Sequence, residues 1–199
     1  MKKSFSILIF FLLVLNSISA AKVKRGGDAN LTPYLNESDA RVVCTDIVGQ
    51  IIASPRIARF AGTNGRDPVV TIGNIKDETG EFFDTQIIAN SLKTAILKSG
   101  ILEFMANKDV RNEMRQEVKD QADHANQEVA TAIDDEDAAD YMLTGSVKLT
   151  VQNNGKKQER TYIVNIELTD LHTHRTVDMF EPSEDVKDYL KKIGSVKSR

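Results

Sequence analysis

Apolar positions recur every three or four residues through the first half of this chain and every second residue through its last third. Ala40, Val43, Ile47, Val48 and Ile51 form a helical stripe. Asn36 is a suitable N-cap before it, and Glu37 and Asp39 complement the positive helix start. Pro55 stops or kinks this helix, and residues 56–60 continue as a short helical piece. Gly62 to Gly65 and Pro68 mark the exit turn. The β-branched run Val69 to Ile75 predicts a central strand, bounded by Pro68 and the polar residues 76–80. A second helix opens near Asp84, with Ile87, Ile88, Leu92, Ala95 and Ile96 on one face and Gly100 at its end. Residues 101–105 predict a short second strand. Asn107 caps a third helical region in which Val110, Met114 and Val118 form a thin stripe on a heavily charged surface. It runs, with a break near Asp123 to Asn126, to about Ile133, before the acidic loop Asp134-Asp-Glu-Asp137.

The period then changes to two. Tyr141, Leu143, Gly145, Val147, Leu149 and Val151 share one face of a strand; Met142, Thr144, Ser146, Lys148, Thr150 and Gln152 share the other. Asn153-Asn-Gly155 turns the chain, since Asn-Gly is a strong hairpin signal. On the return strand Tyr162, Val164, Ile166 and Leu168 face inward. Leu171 to His174 turns again, and Thr176 to Phe180 makes the last strand. The order is α-β-α-β-α-β-β-β. That is an α/β (α+β) domain with a small mixed sheet of about four to five strands, flanking helices and C-terminal antiparallel hairpins. The domain spans 36–181, followed by a C-terminal tail, 182–199.

The N-terminus carries a different pattern. Lys2 and Lys3 precede the apolar run Ile7 to Leu15, and Ser17, Ser19, Ala20 and Ala21 follow. A positive start, a short apolar core and small residues describe a secretory signal peptide, 1–21. The run is well short of the roughly twenty residues that a membrane span requires. Cleavage after Ala21 leaves 178 of the 199 residues and moves the net charge from −3 to −5. Residues 22–35, polar and containing Pro33, read as a flexible arm. The expected location is therefore the periplasm. A mildly acidic exported domain has no global field to attract nucleic acid or an anionic membrane.

The candidate chemistry is sparse. Cys44 is the only cysteine, so no internal disulfide forms, and its helical apolar setting predicts a small buried hydrophobe. His172 and His174 flank a turn residue without the further ligands that zinc needs, and read as solvated loop residues. His124 stands alone. Asp134 to Asp137 lacks the spacing of a calcium loop. Gly62 to Gly65 and Asp77 to Gly80 lack the Lys-Ser/Thr ending of a phosphate loop. Ser146 follows Gly145 but falls inside a strand without a second elbow glycine. Trp is absent and aromatics are few, which argues against a sugar-stacking groove. The residues thus predict no enzyme, no catalytic, metal or cofactor site, and no small-molecule substrate. A binding domain is the default.

Several segments resemble one family in colinear order. Gly26-Gly-Asp-Ala-Asn-Leu31, Leu35-Asn-Glu-Ser-Asp39 and Arg41-Val42 are similar to the opening of the LpoB-type activators of penicillin-binding proteins. Ser54-Pro-Arg-Ile-Ala-Arg-Phe60 and Asn64-Gly-Arg-Asp-Pro-Val69 continue the resemblance. So do Val70-Thr-Ile-Gly-Asn-Ile75, Glu81-Phe-Phe-Asp-Thr85, Ala95-Ile-Leu-Lys-Ser-Gly100 and Ala139-Asp-Tyr-Met-Leu-Thr-Gly-Ser146. The resemblance implies a non-catalytic periplasmic regulator that stimulates a bifunctional class A penicillin-binding protein in peptidoglycan synthesis. It implies no partner-contact residue. Three departures stand out: no cysteine closes the signal segment, so a lipid anchor is not supported; Phe82-Phe83 replace a His-Ile pair; and Glu181-Pro182-Ser183 interrupts the expected continuation of the last strand. The alternative is a component of an envelope secretion or assembly complex related to curli-type secretion subunits. Lys148, Asn165 and Glu167 on the polar strand face are costly in lipid and argue against a pore.

The alternation fixes a register that substitution can check. Ile166→Ala truncates an inward side chain and should cost about 2–5 kcal/mol, read as a lowered urea midpoint. Glu167→Ala, facing the other way, should leave that midpoint nearly unchanged.

Overall fold

The computed structural model describes residues 34–124, 138–155 and 157–195. The signal segment, most of the arm, and the acidic run Asp134 to Asp137 lie outside the described residues. Helix α1, Glu37–Ala53, begins with a reciprocal cap: Asp39 N–H donates to Asn36 Oδ1 at 3.0 Å, and Asn36 N–H donates to Asp39 Oδ2 at 3.1 Å. Its stripe, Ala40, Val43, Cys44, Ile47, Val48 and Ile51, is buried. Helix α2, Pro55–Asn64, starts with proline at its first turn, where no N–H is needed. It runs four residues further than the sequence pattern indicates, because Gly65, at φ 66°, supplies the left-handed cap only there.

Strand β1 is Val69–Glu78, helix α3 is Gln86–Ser99, and strand β2 is the two-residue Glu103–Phe104. Helix α4, Lys108–His124, is capped by Asn107, whose Oδ1 accepts from Val110 N–H at 3.0 Å. Strands β3, Tyr141–Asn154, and β4, Lys157–Asp170, form a long hairpin with every residue in register from Tyr141↔Asp170 to Asn154↔Lys157. Gly155, at φ 57°, takes the turn. Strand β5, Arg175–Phe180, pairs antiparallel with the end of β4. A 3-10 turn, Lys187–Leu190, leads into β6, Lys191–Ser195, which pairs with the start of β4.

The sheet order is β2-β1-β3-β4-β5, with β6 beside β4. β1 is parallel to β2 and β3, and the other pairs are antiparallel. One face meets α1 and α3: Leu143, Val147, Val164, Ile166 and Leu168 form a continuous core with Val43, Ile47, Ile51, Ile88, Leu92 and Ile96. Across this seam Cys44 Sγ lies 3.7 Å from Ile88 O, and burial pushes its thiol up to about 12. It is the small hydrophobe expected. Gly145 is required by close approach, because a Cβ there would lie 2.2 Å from Asn165 O.

Three expectations are corrected. The tail is not a tail: β6 covers the start of the outer edge of β4, and Pro182, buried, lies in the chain between β5 and β6. Leu35, placed in the arm, is buried in the core. The stripe on α4 faces water, with Val110 and Met114 41% and 59% exposed.

The return of the C-terminal segment is fastened to α1. Ser183 N–H and Oγ both donate to the Asp46 carboxylate at 2.8 Å, and Gln50 Nε2 donates to Glu181 O at 2.9 Å. Lys192 Nζ, 2% exposed, sits 2.6 Å from Oδ2 of Asp39, which is fully buried. Removing one member of a buried pair leaves an uncompensated charge, typically costing about 3–5 kcal/mol. Lys192→Met should therefore lower the urea-unfolding free energy by that order. Combining it with Asp39→Asn, which retains a cap oxygen, should recover part of the loss in a double-mutant cycle.

Candidate functional site

The sequence candidates stay apart. His172 and His174 are exposed in the β4–β5 turn, where His174 takes a positive φ of 57°. Ser146 lies within β3. Asp77 organises the turn after β1: its Oδ1 accepts from Thr79 N–H and Oγ–H, and its Oδ2 from Phe83 N–H. Those hydrogen bonds hold its carboxyl below the usual range. Among the described residues no group of three or more His, Cys, Asp or Glu is placed to hold a metal, and no helix is long and apolar enough to cross a membrane.

Two polar centres escaped the sequence reading because their members are distant in the chain. The first surrounds Asp140, whose side chain is 2% exposed. Arg66 grips it through Nη1 at 2.7 Å and Nη2 at 2.8 Å, the two-pronged geometry suited to guanidinium and carboxylate. Val69 N–H donates to it at 2.9 Å, and His172 Nε2 stands 3.4 Å away. Asp140 thereby ties the loop before β1, the start of β3 and the β4–β5 turn together. Burial pushes its pKa up, but the hydrogen bonds from Arg66, Val69 and His172 outweigh this and hold it below the ordinary carboxylate range. Arg66 also lies 5.0 Å over the Phe60 ring, which meets Tyr141 edge-on at 5.7 Å. With its oxygens engaged, Asp140 is a structural tie.

The second centre is a corner near the tip of the sheet. Arg160, buried on the helix side of β4, pairs with Glu81 and lies 4.9 Å over the Tyr34 ring. Phe83 packs against Tyr162 at 6.1 Å, whereas Phe82 is 100% exposed. The Phe82-Phe83 pair thus divides into one anchor and one side chain in water.

The sheet face away from α1 and α3 is polar. Thr144, Ser146, Lys148, Asn165 and Glu167 lie on it, and Lys148 pairs with Glu78 at 3.2 Å. At one end of this face, α4 and the sheet enclose an open groove of about 540 Å³. Lys108, Arg111 and Arg115 line it from the helix, and His172 lines it from the β4–β5 turn. Met105, Met142 and Leu171 supply apolar surface between them. Arg111 Nη1 donates to Ala106 O at 2.7 Å, which fixes the first turn of α4 beside the groove. This concavity joins apolar surface to concentrated positive charge, so it suits recognition of an anionic, partly apolar surface.

A family model described as peptidoglycan-synthase activator LpoB matches residues 39–177. The chain belongs to the LpoB family. The match runs from the first turn of α1 into β5, and its description is that of a regulator. Among solved structures, the LpoB C-terminal domain of Salmonella enterica is 13% identical, with a TM-score of 0.43. The alignment covers 80% of this chain and 99% of that one. The LpoB C-terminal domain of Escherichia coli is 14% identical, with a TM-score of 0.39, covering 72% and 96%. A lipoprotein of Neisseria meningitidis is 11% identical, with a TM-score of 0.35, covering 67% and 86%. No curated protein matches.

The LpoB-family matched region contains the Asp140 tie, which makes an acid-limb prediction. A carboxylate with a depressed folded pKa contributes stability above its unfolded value, near 3.9, and loses it as pH falls through the folded one. Wild type should thus lose stability below about pH 4. Asp140→Asn should lose about 1.5–3 kcal/mol at pH 7 and show a flatter acid limb in urea titrations.

Proposed function

We propose that this protein is an exported, non-catalytic regulator that binds a bifunctional class A penicillin-binding protein and accelerates its synthesis of peptidoglycan. The family match over 39–177 is the observation that carries the reading. The apolar run Ile7 to Leu15 behind two lysines supports export to the periplasm. The fold supports a binding role: one sheet face is spent on the core, while the other presents a broad polar surface with a groove at its end.

Activation by binding requires that the domain hold the faster state of the synthase more tightly than the slower one. A coupling of about 1–3 kcal/mol corresponds to roughly 5–150-fold, so a several-fold stimulation demands only a few contacts that differ between the two states. The core of the domain need not rearrange for this.

The test is lipid II polymerisation and peptide cross-linking by the host's class A synthases, with and without the chain from Lys22 onward. A several-fold rise in rate that saturates with added domain is expected, with direct binding to the same synthase. Neither binding nor stimulation with any of them would reject the reading and favour the envelope-assembly alternative.

A further inference from the structure

Helix α4 sorts its charges by face. At about 100° per residue, Lys108, Arg111, Arg115 and Lys119 fall on one narrow stripe, while Asp109, Glu113, Glu117 and Asp120 fall on another. Along both stripes, like charges stand three or four residues apart, which weakens a helix. Interleaving the two signs would support it instead. The exposed Val110 and Met114 fall between the two stripes, Val110 nearer the acidic one. The sorting is thus unfavourable for the helix alone, and its basic side is the side that lines the groove.

We infer that this groove receives an acidic, partly apolar segment of the protein partner, with Lys108, Arg111 and Arg115 meeting its carboxylates. The inference rests on the regulator reading above and adds the surface and its chemistry. Charge complementarity selects the occupant: among the described residues that line the groove, none is Asp or Glu. Asp140, which His172 of the groove approaches at 3.4 Å, is held by Arg66. Spacing selects a peptide over a single phosphate. The cations are strung along two turns of helix, roughly 10 Å from Lys108 to Arg115, and do not converge on one point. Guanidinium groups favour two-pronged pairing with carboxylates. Met105, Met142 and Leu171 offer apolar contact in the same groove.

The experiment measures binding of the full chain to a purified class A synthase. The test variant is Lys108→Glu/Arg111→Glu/Arg115→Glu. The control is Asp109→Lys/Glu113→Lys/Glu117→Lys on the other face, and circular dichroism checks both for folding. If the reversal does not fold, Lys108→Gln/Arg111→Gln/Arg115→Gln replaces it. The expected result is a loss of about tenfold or more for the groove variant, none for the control, and steep weakening of wild-type binding with salt. Unchanged binding by the groove variant overturns the groove while leaving the regulator reading intact. If wild type binds no synthase, that reading fails, and a synthetic peptide of Glu-Leu repeats decides the groove: binding that the groove variant loses retains it, and no binding overturns it. Preferential capture of phosphatidylglycerol vesicles over that peptide also overturns it. A last arm changes Asp134, Asp135, Glu136 and Asp137, which precede Ala138 on the groove wall, to their amides. If the groove substitutions then no longer alter binding, the occupant is this chain's own acidic run and the inference fails.

Discussion

Strand β4 is the only described strand hydrogen-bonded to three others, and the rest of the architecture follows from that load. β3 runs along one edge of it for its whole length, whereas β5 and β6 divide the other edge between them. Its inward row, Tyr162, Val164, Ile166 and Leu168, meets the helices, so the same residues set strand register and core packing together. A one-residue slip would turn all four to water. This is why the sheet keeps one well-defined register against α1 and α3. The Gly145 contact adds a steric condition, because β3 can approach Asn165 this closely only without a Cβ.

Much of this was legible in the residues, and the reasons differ by element. β3 and β4 alternate strictly because one face is buried and the other wet. α1 and α3 show their stripes because a single face of each meets the core. β6 was not legible. Lys191-Lys-Ile-Gly-Ser195 has the wrong polarity for a buried-face strand, since its inward residue is a lysine and its isoleucine faces water. It is a strand because Asp39, more than a hundred and fifty residues earlier, supplies the counter-charge. The stripe on α4 misled for the complementary reason. Its period is helical, but Val110 and Met114 face outward.

The candidate surface was legible only in outline. The colinear family blocks are local patterns, and they were visible as such. The Asp140 tie joins Arg66, Val69 and His172, which no local pattern connects. Likewise the groove joins α4 to Met142 and Leu171 across the turn of the hairpins. Phe82 and Phe83 are adjacent in sequence, yet only packing separates the anchor, held by Tyr162, from its exposed neighbour.

The Asp39–Lys192 pair joins the first described helix to the last described strand, which gives the domain a direction in time. A chain delivered N-terminus first, from a ribosome or through a translocation channel, can cap α1 early, but Asp39 then waits without its cation until residue 192 emerges. Closing so long a loop comes late and slows folding. Until then β4 also lacks the strand that covers the start of its outer edge, and an open edge can recruit the wrong strand. The docking of residues 191–195 therefore completes the ion pair and the sheet edge in one step.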